Sequence, residues 1–159
     1  MSFVDDSRTQ TVPRAILAAL RVYLGVVFLF AALHKVGVNV SPGIAGLLTS
    51  LRAQTYGFYR GFLDAVVLPH VSTFGLLVTY GELFAAVSLL AGAATRAGAV
   101  VAGVLLMNYA LAKGARPWTP ASNDVAMLCI AMAVFVGRAG RAFGLDYYLA
   151  RRWPRLPLW

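Results

Sequence analysis

The sequence carries little charge for its length. Of its 159 residues, 13% are charged and 60% are hydrophobic, and the mean hydropathy is +0.73. Soluble domains average about 25% charged and about 45–50% apolar residues. This composition excludes an ordinary soluble domain. It indicates an integral membrane protein, and the length indicates a single domain over residues 1–159.

Cysteine and histidine are almost absent. One cysteine, Cys129, cannot form an intrachain disulfide, a CxxC redox pair or a cysteine-rich metal site. The two histidines, His34 and His70, fall in different predicted segments, so we predict no metal site. The sequence also lacks a phosphate-binding loop, a nucleophile elbow, an HExxH motif and paired catalytic carboxylates.

Acidic residues are also scarce, since 14 basic residues face 6 acidic ones and the net charge is +8. The basic residues flank apolar segments and form no solvated patch, so we attribute them to membrane topology and predict no nucleic-acid binding. If the chain crosses the membrane four times, as the apolar segments described next predict, both termini lie on the same side of the membrane. That side would hold Arg8, Arg14, Arg96, Arg138, Arg141, Arg151, Arg152 and Arg155, and the other side Lys35, Arg52, Arg60, Lys113 and Arg116. The positive-inside rule then predicts cytoplasmic termini in a bacterial or archaeal cell membrane.

Four apolar segments predict an all-α membrane protein, a four-transmembrane-helix bundle. A span needs about 20 apolar residues to cross a hydrocarbon core of about 30 Å. The predicted spans cover residues 14–35, 74–94, 96–113 and 122–136. Residues 1–12 form a polar stretch without the basic n-region of a signal peptide, so we expect no cleavage.

Two further segments are too polar to cross. Between spans one and two, apolar residues recur at helical spacing from Ile44 and again from Tyr59, which predicts two interfacial amphipathic helices over residues 36–70. They would cap one end of the bundle, or form the lid or lateral gate of a lipid-facing pocket. Residues 137–159 combine arginines with aromatic residues, which predicts a basic juxtamembrane tail on anionic lipid headgroups.

A single carboxylate, Glu82, lies near the middle of the second span. An acid at membrane depth costs roughly 2.5 kcal/mol or more, so Glu82 should face protein or water and have a partner. Lys35 could neutralise either Glu82 or Asp124. Arg21, two turns inside span one, could pair with Glu82 or extend to the near interface along its aliphatic stem.

The polar residues collect in one half of the predicted bundle, the non-cytoplasmic half. They are His34, Lys35, Tyr80, Glu82, Asn108, Tyr109, Lys113, Asn123 and Asp124. Asn108 and Tyr109 lie about 18 Å from the Arg96 end of their span, close to the depth of Glu82. A structural role is open for Asn108 as an interhelical contact and for Asn123 and Asp124 as helix caps. The distribution predicts a polar pocket that opens toward the outer leaflet under residues 36–70.

Short motifs occur in order along these spans, and together they resemble the DoxX family of small four-span membrane proteins. They are the segment Arg21–Phe28 with Lys35, the pair Gly81–Glu82, the tight turn Gly92–Arg96, Asn123 at the start of span four, Gly137–Arg141 and Gly144–Asp146. The resemblance covers about residues 21–148.

This resemblance implies a four-helix bundle with a place in membrane redox systems. The family is named for a subunit linked to thiosulfate:quinone oxidoreductase, and other members are associated with oxidative-stress or sulfur-redox complexes. The residues on which such a protein is expected to rely are Arg21, Lys35, Glu82, Asn123 and Asp146.

The leading hypothesis is a membrane subunit of a quinone-linked oxidoreductase. Tyr80, Asn108 or Tyr109 would bond the quinone carbonyl oxygens, and Glu82 would exchange protons. Electrons would come from a partner subunit, because no motif for a flavin, haem or iron–sulfur cluster is present. One alternative is a non-catalytic anchor or assembly subunit in which Glu82 only neutralises Arg21 or Lys35. Another is a small-solute or proton transporter, which the lack of broken helices and inverted repeats disfavours.

Overall fold

The structure, a computed structural model, describes residues 6–116 and 123–154, with side chains from residue 14 onward. Within these ranges the chain is helical and has no strand. The helices are α1 (Asp6–Leu33), α2 (Ser41–Leu51), α3 (Gly57–Phe62), α4 (Val71–Ala91), α5 (Thr95–Ala112), α6 (Asn123–Val136) and α7 (Asp146–Arg152). A π-helical turn, Leu63–Val67, continues α3, and a 3₁₀ turn, Ala139–Arg141, precedes α7.

Three helical segments of the described chain are long and apolar enough to cross a membrane. They are Arg14–Leu33, Val71–Ala91 and Thr95–Ala112, with mean hydropathies of 2.4, 1.7 and 1.3. The fourth predicted span corresponds to α6, which is apolar but has only 14 residues. Its predicted start at residue 122 lies outside the described residues. The first helix begins at Asp6, earlier than the predicted residue 14.

The four longest helices pack in a ring. α1 contacts α4 and α6, and α5 contacts the same two helices. Their shared core is apolar and built largely from leucine and alanine: Leu24, Phe28, Ala85, Ala86, Leu89, Ala99, Ala102, Leu106, Ala131 and Val134. Close approach is possible where glycine replaces a larger residue. A Cβ on Gly25 would lie 2.9 Å from the Leu90 side chain, so the backbone of α1 packs directly against α4 there.

The turn between α4 and α5 is as short as the sequence predicts. Gly92 ends α4 in the left-handed conformation, with φ of 64°, which favours glycine. The Ser88 hydroxyl donates to the carbonyl oxygens of Ala93 and Ala94, at 2.7 and 3.0 Å. These bonds satisfy carbonyl groups of the turn and make α4 and α5 antiparallel neighbours.

The two predicted amphipathic helices are present as α2 and as α3 with its π-helical turn. We call residues 36–70 the cap. α2 packs on α4 and α3 contacts α5. Thr55 donates to the Ala112 carbonyl at 2.6 Å, and Tyr56 donates to the Ala115 carbonyl at 3.0 Å. These bonds fix the cap to the carboxyl end of α5, where carbonyl groups lack helical partners.

The basic tail is more than the surface segment that the sequence predicts. Asp146 is 1% exposed, and its carboxylate accepts from the backbone N–H groups of Ala94 and Thr95 at 2.7 and 3.0 Å. The Asp146 N–H in turn donates to the Gly92 carbonyl at 2.7 Å. The tail thus folds back onto the α4–α5 turn, because the first N–H groups of α5 need acceptors and a carboxylate suits a helix amino end.

Candidate functional site

Glu82 is buried and fully partnered. Its side chain is 1% exposed, and both carboxylate oxygens lie within hydrogen-bond distance of the Lys35 ammonium, at 2.6 and 2.7 Å. Tyr109 donates to Oε1 of Glu82 at 2.7 Å. A buried carboxylate is tolerated only when such partners replace water. The structure therefore selects Lys35 from the candidate partners of Glu82.

Three elements bring these groups together. α1 ends at Leu33, and the following turn, closed by a 2.9 Å bond from Lys35 N to the Ala32 carbonyl, aims Lys35 at α4. α5 runs antiparallel to α4 after the tight turn, so Tyr109 returns to the depth of Glu82. The hydrogen bond brings Tyr109 and Glu82 together, as expected for two residues predicted to lie at similar depth.

A second ion pair lies beside the first. Lys113 contacts Oδ2 of Asp124 at 2.8 Å, and the Asp124 side chain is 13% exposed. The Lys113 ammonium also lies 5.9 Å from the Tyr109 ring centroid. Lys113 follows the carboxyl end of α5 and Asp124 lies in the first turn of α6, positions at which these charges complement the helix dipoles. Asp124 is thus paired with Lys113 and not with Lys35.

A cleft of about 460 Å³ lies between the cap and the groove of α4 and α5. Its polar lining residues are Lys35, Tyr59, Asn108, Tyr109 and Lys113. The other lining residues are apolar, for example Ile44, Leu47, Phe62, Leu77, Val101 and Val104. A large apolar cavity with a few convergent polar groups is the usual form of a small-molecule site.

The polar wall of the cleft is ordered by hydrogen bonds. The Tyr59 hydroxyl, from the cap, donates to Oδ1 of Asn108 on α5. Burial raises the pKa of the Tyr59 phenol above its ordinary value of 10.0, so the hydroxyl stays protonated at neutral pH. The amide of Asn108 donates to the Val104 carbonyl at 2.7 Å. Asn108 therefore both joins the cap to the bundle and lines the cleft.

Glu82 itself stands behind this wall. Among the described lining residues are two lysines and no carboxylate, since Lys35 and Tyr109 lie between Glu82 and the open space. A ligand in the cleft would meet two ammonium groups and two phenols. Glu82 would influence the ligand only through Lys35 and Tyr109, to which it is hydrogen-bonded.

Three predicted pocket residues lie elsewhere. Tyr80 is 62% exposed, because two residues along a helix place it on nearly the opposite face from Glu82. His34 is exposed, and its Nδ1 donates to the Phe30 carbonyl at 2.6 Å. Asn123 is exposed at the start of α6. The structure therefore does not bring these three side chains to the cleft, and the predicted Asp124, which pairs with Lys113, does not line it either.

Arg21 adopts neither of the two predicted roles. It is 2% exposed and donates from Nη2 to the Phe143 carbonyl at 3.3 Å, so it neither reaches solvent nor contacts Glu82. It lies about 18 Å along α1 from Leu33, at the opposite end from Lys35. Its guanidinium fits against Gly92 and Gly144, where an added Cβ would lie 1.7 and 2.2 Å from Nη1. Arg21 instead anchors the tail.

Sequence reasoning did not include Tyr59 and Lys113 among the binding residues. Tyr59 was predicted only as the start of the second amphipathic helix, and Lys113 only as one member of the polar cluster in the non-cytoplasmic half of the bundle. The signal for Tyr59 was its place in an amphipathic stretch, but its bond to Asn108 joins residues 49 positions apart. Periodicity along one helix carries no information about such a pairing.

Apolar helices long enough to cross a membrane, packed around a buried ion pair, define a helical membrane protein. The family model described as DoxX matches residues 16–113, and the chain belongs to this family. The matched range includes the cap, Lys35, Glu82 and Tyr109, and it ends before α6. Comparison with curated proteins and with solved structures gave no match.

Proposed function

We propose that this DoxX protein is an integral membrane subunit of a quinone-linked redox complex and that its cleft binds the quinone head group. The observation that carries the proposal is the cleft itself, an apolar space whose polar wall contains Lys35 and Tyr109 held by the buried Glu82. Quinone carbonyl oxygens are hydrogen-bond acceptors on an apolar ring, and this wall offers an ammonium beside apolar surface.

The residues present fit such a ligand. An ammonium has three N–H donors, and Glu82 engages Lys35 through two oxygens, which leaves donor capacity toward the cleft. A bound quinone takes up two electrons, which a redox-active partner subunit would supply, and two protons, and becomes a quinol. Lys35 orients the ligand. Glu82 is a positioning residue: it accepts hydrogen bonds from Lys35 and Tyr109 and so keeps the ammonium and the phenol beside the site.

The proposal includes the topology of a cell membrane protein. α6 would cross as the fourth span, because it packs in the ring with α1 and α5, and a bilayer can thin locally around a short helix. Both termini would be cytoplasmic, as the distribution of basic residues indicates. The tail would contact anionic lipid headgroups, since exposed Arg151 and Arg152 adjoin Tyr148 and Trp153, which are 68% and 52% exposed.

Quinone titration of the purified protein in lipid nanodiscs tests the proposal. We expect saturable binding of a quinone, and we expect Lys35→Met to weaken it about tenfold or more, the effect of losing a hydrogen bond from a charged group. Tyr80→Phe is the matched control, because Tyr80 faces away from the cleft and this variant should bind normally. Absence of quinone binding, together with unchanged quinone reduction by a Glu82→Gln complex, would refute the proposal.

One observation favours a second function, that of a non-catalytic anchor or assembly subunit. Glu82 is neutralised by Lys35 through both oxygens, and such a pair can serve assembly alone. On this hypothesis Glu82→Gln lowers the yield of the complex while the surviving complexes keep full activity. On the quinone hypothesis the surviving complexes lose quinone reduction. Activity per assembled complex therefore separates the two.

A further inference from the structure

The cleft is elongated along the helices. On α5 its lining extends from Val100 to Lys113, thirteen positions that span about 20 Å at 1.5 Å per residue. The polar groups lie toward one end, at Asn108, Tyr109 and Lys113, and the remaining length is apolar. The cleft therefore has a polar head region and a long apolar groove.

The apolar part of the groove opens sideways. Leu77, Val100 and Val104 line it and are 62%, 50% and 56% exposed. All three lie in helices that are long and apolar enough to cross a membrane, so their exposed surface faces lipid chains. The cap covers the polar end, where Tyr59 bonds to Asn108. A ligand would enter from the bilayer and not from water.

We infer that the cleft selects long-chain quinones: the head group binds near Lys35, and a tail of about 12 Å lies in the apolar groove between α4 and α5, from Asn108 to Val100. This inference rests on the proposed function and specifies the class of ligand. The quinone tail moves into the groove from lipid and not from water, so the hydrophobic effect adds little to the binding free energy. The gain in binding free energy comes from packing of the quinone tail against the walls of the groove. Affinity should rise with tail length until the groove is filled and then stay constant.

The experiment compares quinones that share one head group and differ in tail length, titrated into the protein in nanodiscs of neutral lipid. For the wild-type protein we expect the tail that fills the groove to bind about tenfold more tightly than the tail-less head group, as mole fraction in the membrane. Val104→Trp places a large ring in the groove. It should remove this difference in affinity between the long-tailed and the tail-less quinone.

Met107→Trp is the matched control. Met107 is 46% exposed on the same helix and does not line the cleft, so this variant should keep the dependence on tail length. A quinone with a photoreactive group at the tail end gives a readout without mutation. Labelling should fall near Val100 and Val101, at the end of the groove away from Lys35, and not on α6.

Equal affinity for tail-less and long-tailed quinones would overturn the inference, as would equal effects of Val104→Trp and Met107→Trp. Labelling that falls mainly on α6 would do the same. If the quinone affinity changes with added anionic phospholipid but not with tail length, the groove is assigned to that lipid and the inference is also overturned. Equal affinities for the two quinones, or equal effects of the two variants, concern only the tail, so quinone binding near Lys35 and the proposed function survive these two outcomes. If no quinone binds at all, the proposed function fails first.

Discussion

At the scale of single residues, the protein contrasts a buried ion pair with an exposed one. Lys35 and Glu82 meet in the bundle, where the carboxylate is 1% exposed. Arg52 and Asp64 meet in the cap, with side chains 59% and 36% exposed. The two pairs have similar distances, but loss of one partner leaves an uncompensated buried charge only in the first. Their energetic weights should therefore differ greatly.

We expect Lys35→Met to lower the free energy of unfolding by about 3 kcal/mol or more, because Glu82 then stays buried without its counter-charge. Arg52→Met, the matched control at the exposed pair, should cost less than about 1 kcal/mol. Unfolding by a denaturing detergent, followed by circular dichroism, measures both. The double variant Lys35→Met with Glu82→Leu should recover most of the loss. Similar costs for Lys35→Met and Arg52→Met would contradict this account.

Asp146 is a second residue whose replacement should destabilise a distant part of the sequence, the start of α5. Asp146→Ala removes the acceptor of two N–H groups at the start of α5, and we expect a cost of about 2 kcal/mol, the upper range for a helix cap. Asp146→Asn keeps one acceptor oxygen and should cost less. The same unfolding assay applies. If Asp146→Ala costs no more than Asp64→Ala, at the exposed pair, then the hydrogen bonds from the α5 N–H groups to Asp146 contribute little to stability.

At the scale of helices, the cap is joined to the bundle by side-chain bonds to the end of α5. Thr55→Val removes the bond to the Ala112 carbonyl and keeps the shape of the side chain, so about 1 kcal/mol should be lost locally. We expect faster hydrogen exchange and proteolysis within residues 36–70, with the ring of α1, α4, α5 and α6 unaffected. Both rates can be measured by mass spectrometry on the protein in nanodiscs.

Thr49→Val is the control for this prediction. Thr49 bonds only within α2, to the Ala45 carbonyl at 2.8 Å, so its loss should leave the cap attached. If exchange in the cap is equally fast in both variants, the Thr55 bond does not hold the cap.

The elements that could be predicted are those encoded by local patterns. Hydropathy gave α4 and α5 to within a few residues, Gly92 gave the turn between them, and helical spacing gave the two helices of the cap. The need of Glu82 for a partner followed from its depth. The choice of Lys35, the anchoring role of Arg21 and the folding back of Asp146 could not be predicted in this way. They depend on how whole helices rotate and pack, which no short stretch of sequence records.

At the scale of the whole molecule, the proposed topology makes a simple labelling experiment possible. Cys129 is the one cysteine in the sequence, so Cys129→Ala gives a cysteine-free background. In that background we expect Arg52→Cys, in the cap, to react with a membrane-impermeant maleimide on intact cells. Arg152→Cys, in the tail, should react only after permeabilisation, because the tail would be cytoplasmic. The reverse pattern would invert the topology.

The carboxylate of Asp146 also sets an order of events during synthesis. It belongs to a residue 51 positions later than Thr95, whose N–H it accepts. The hairpin of α4 and α5 therefore enters the membrane with the first N–H groups of α5 unsatisfied by this partner, and it stays so while α6 is made. A nascent chain halted before residue 146 would hold all four long helices and still lack the carboxylate that accepts from the N–H groups at the turn between α4 and α5.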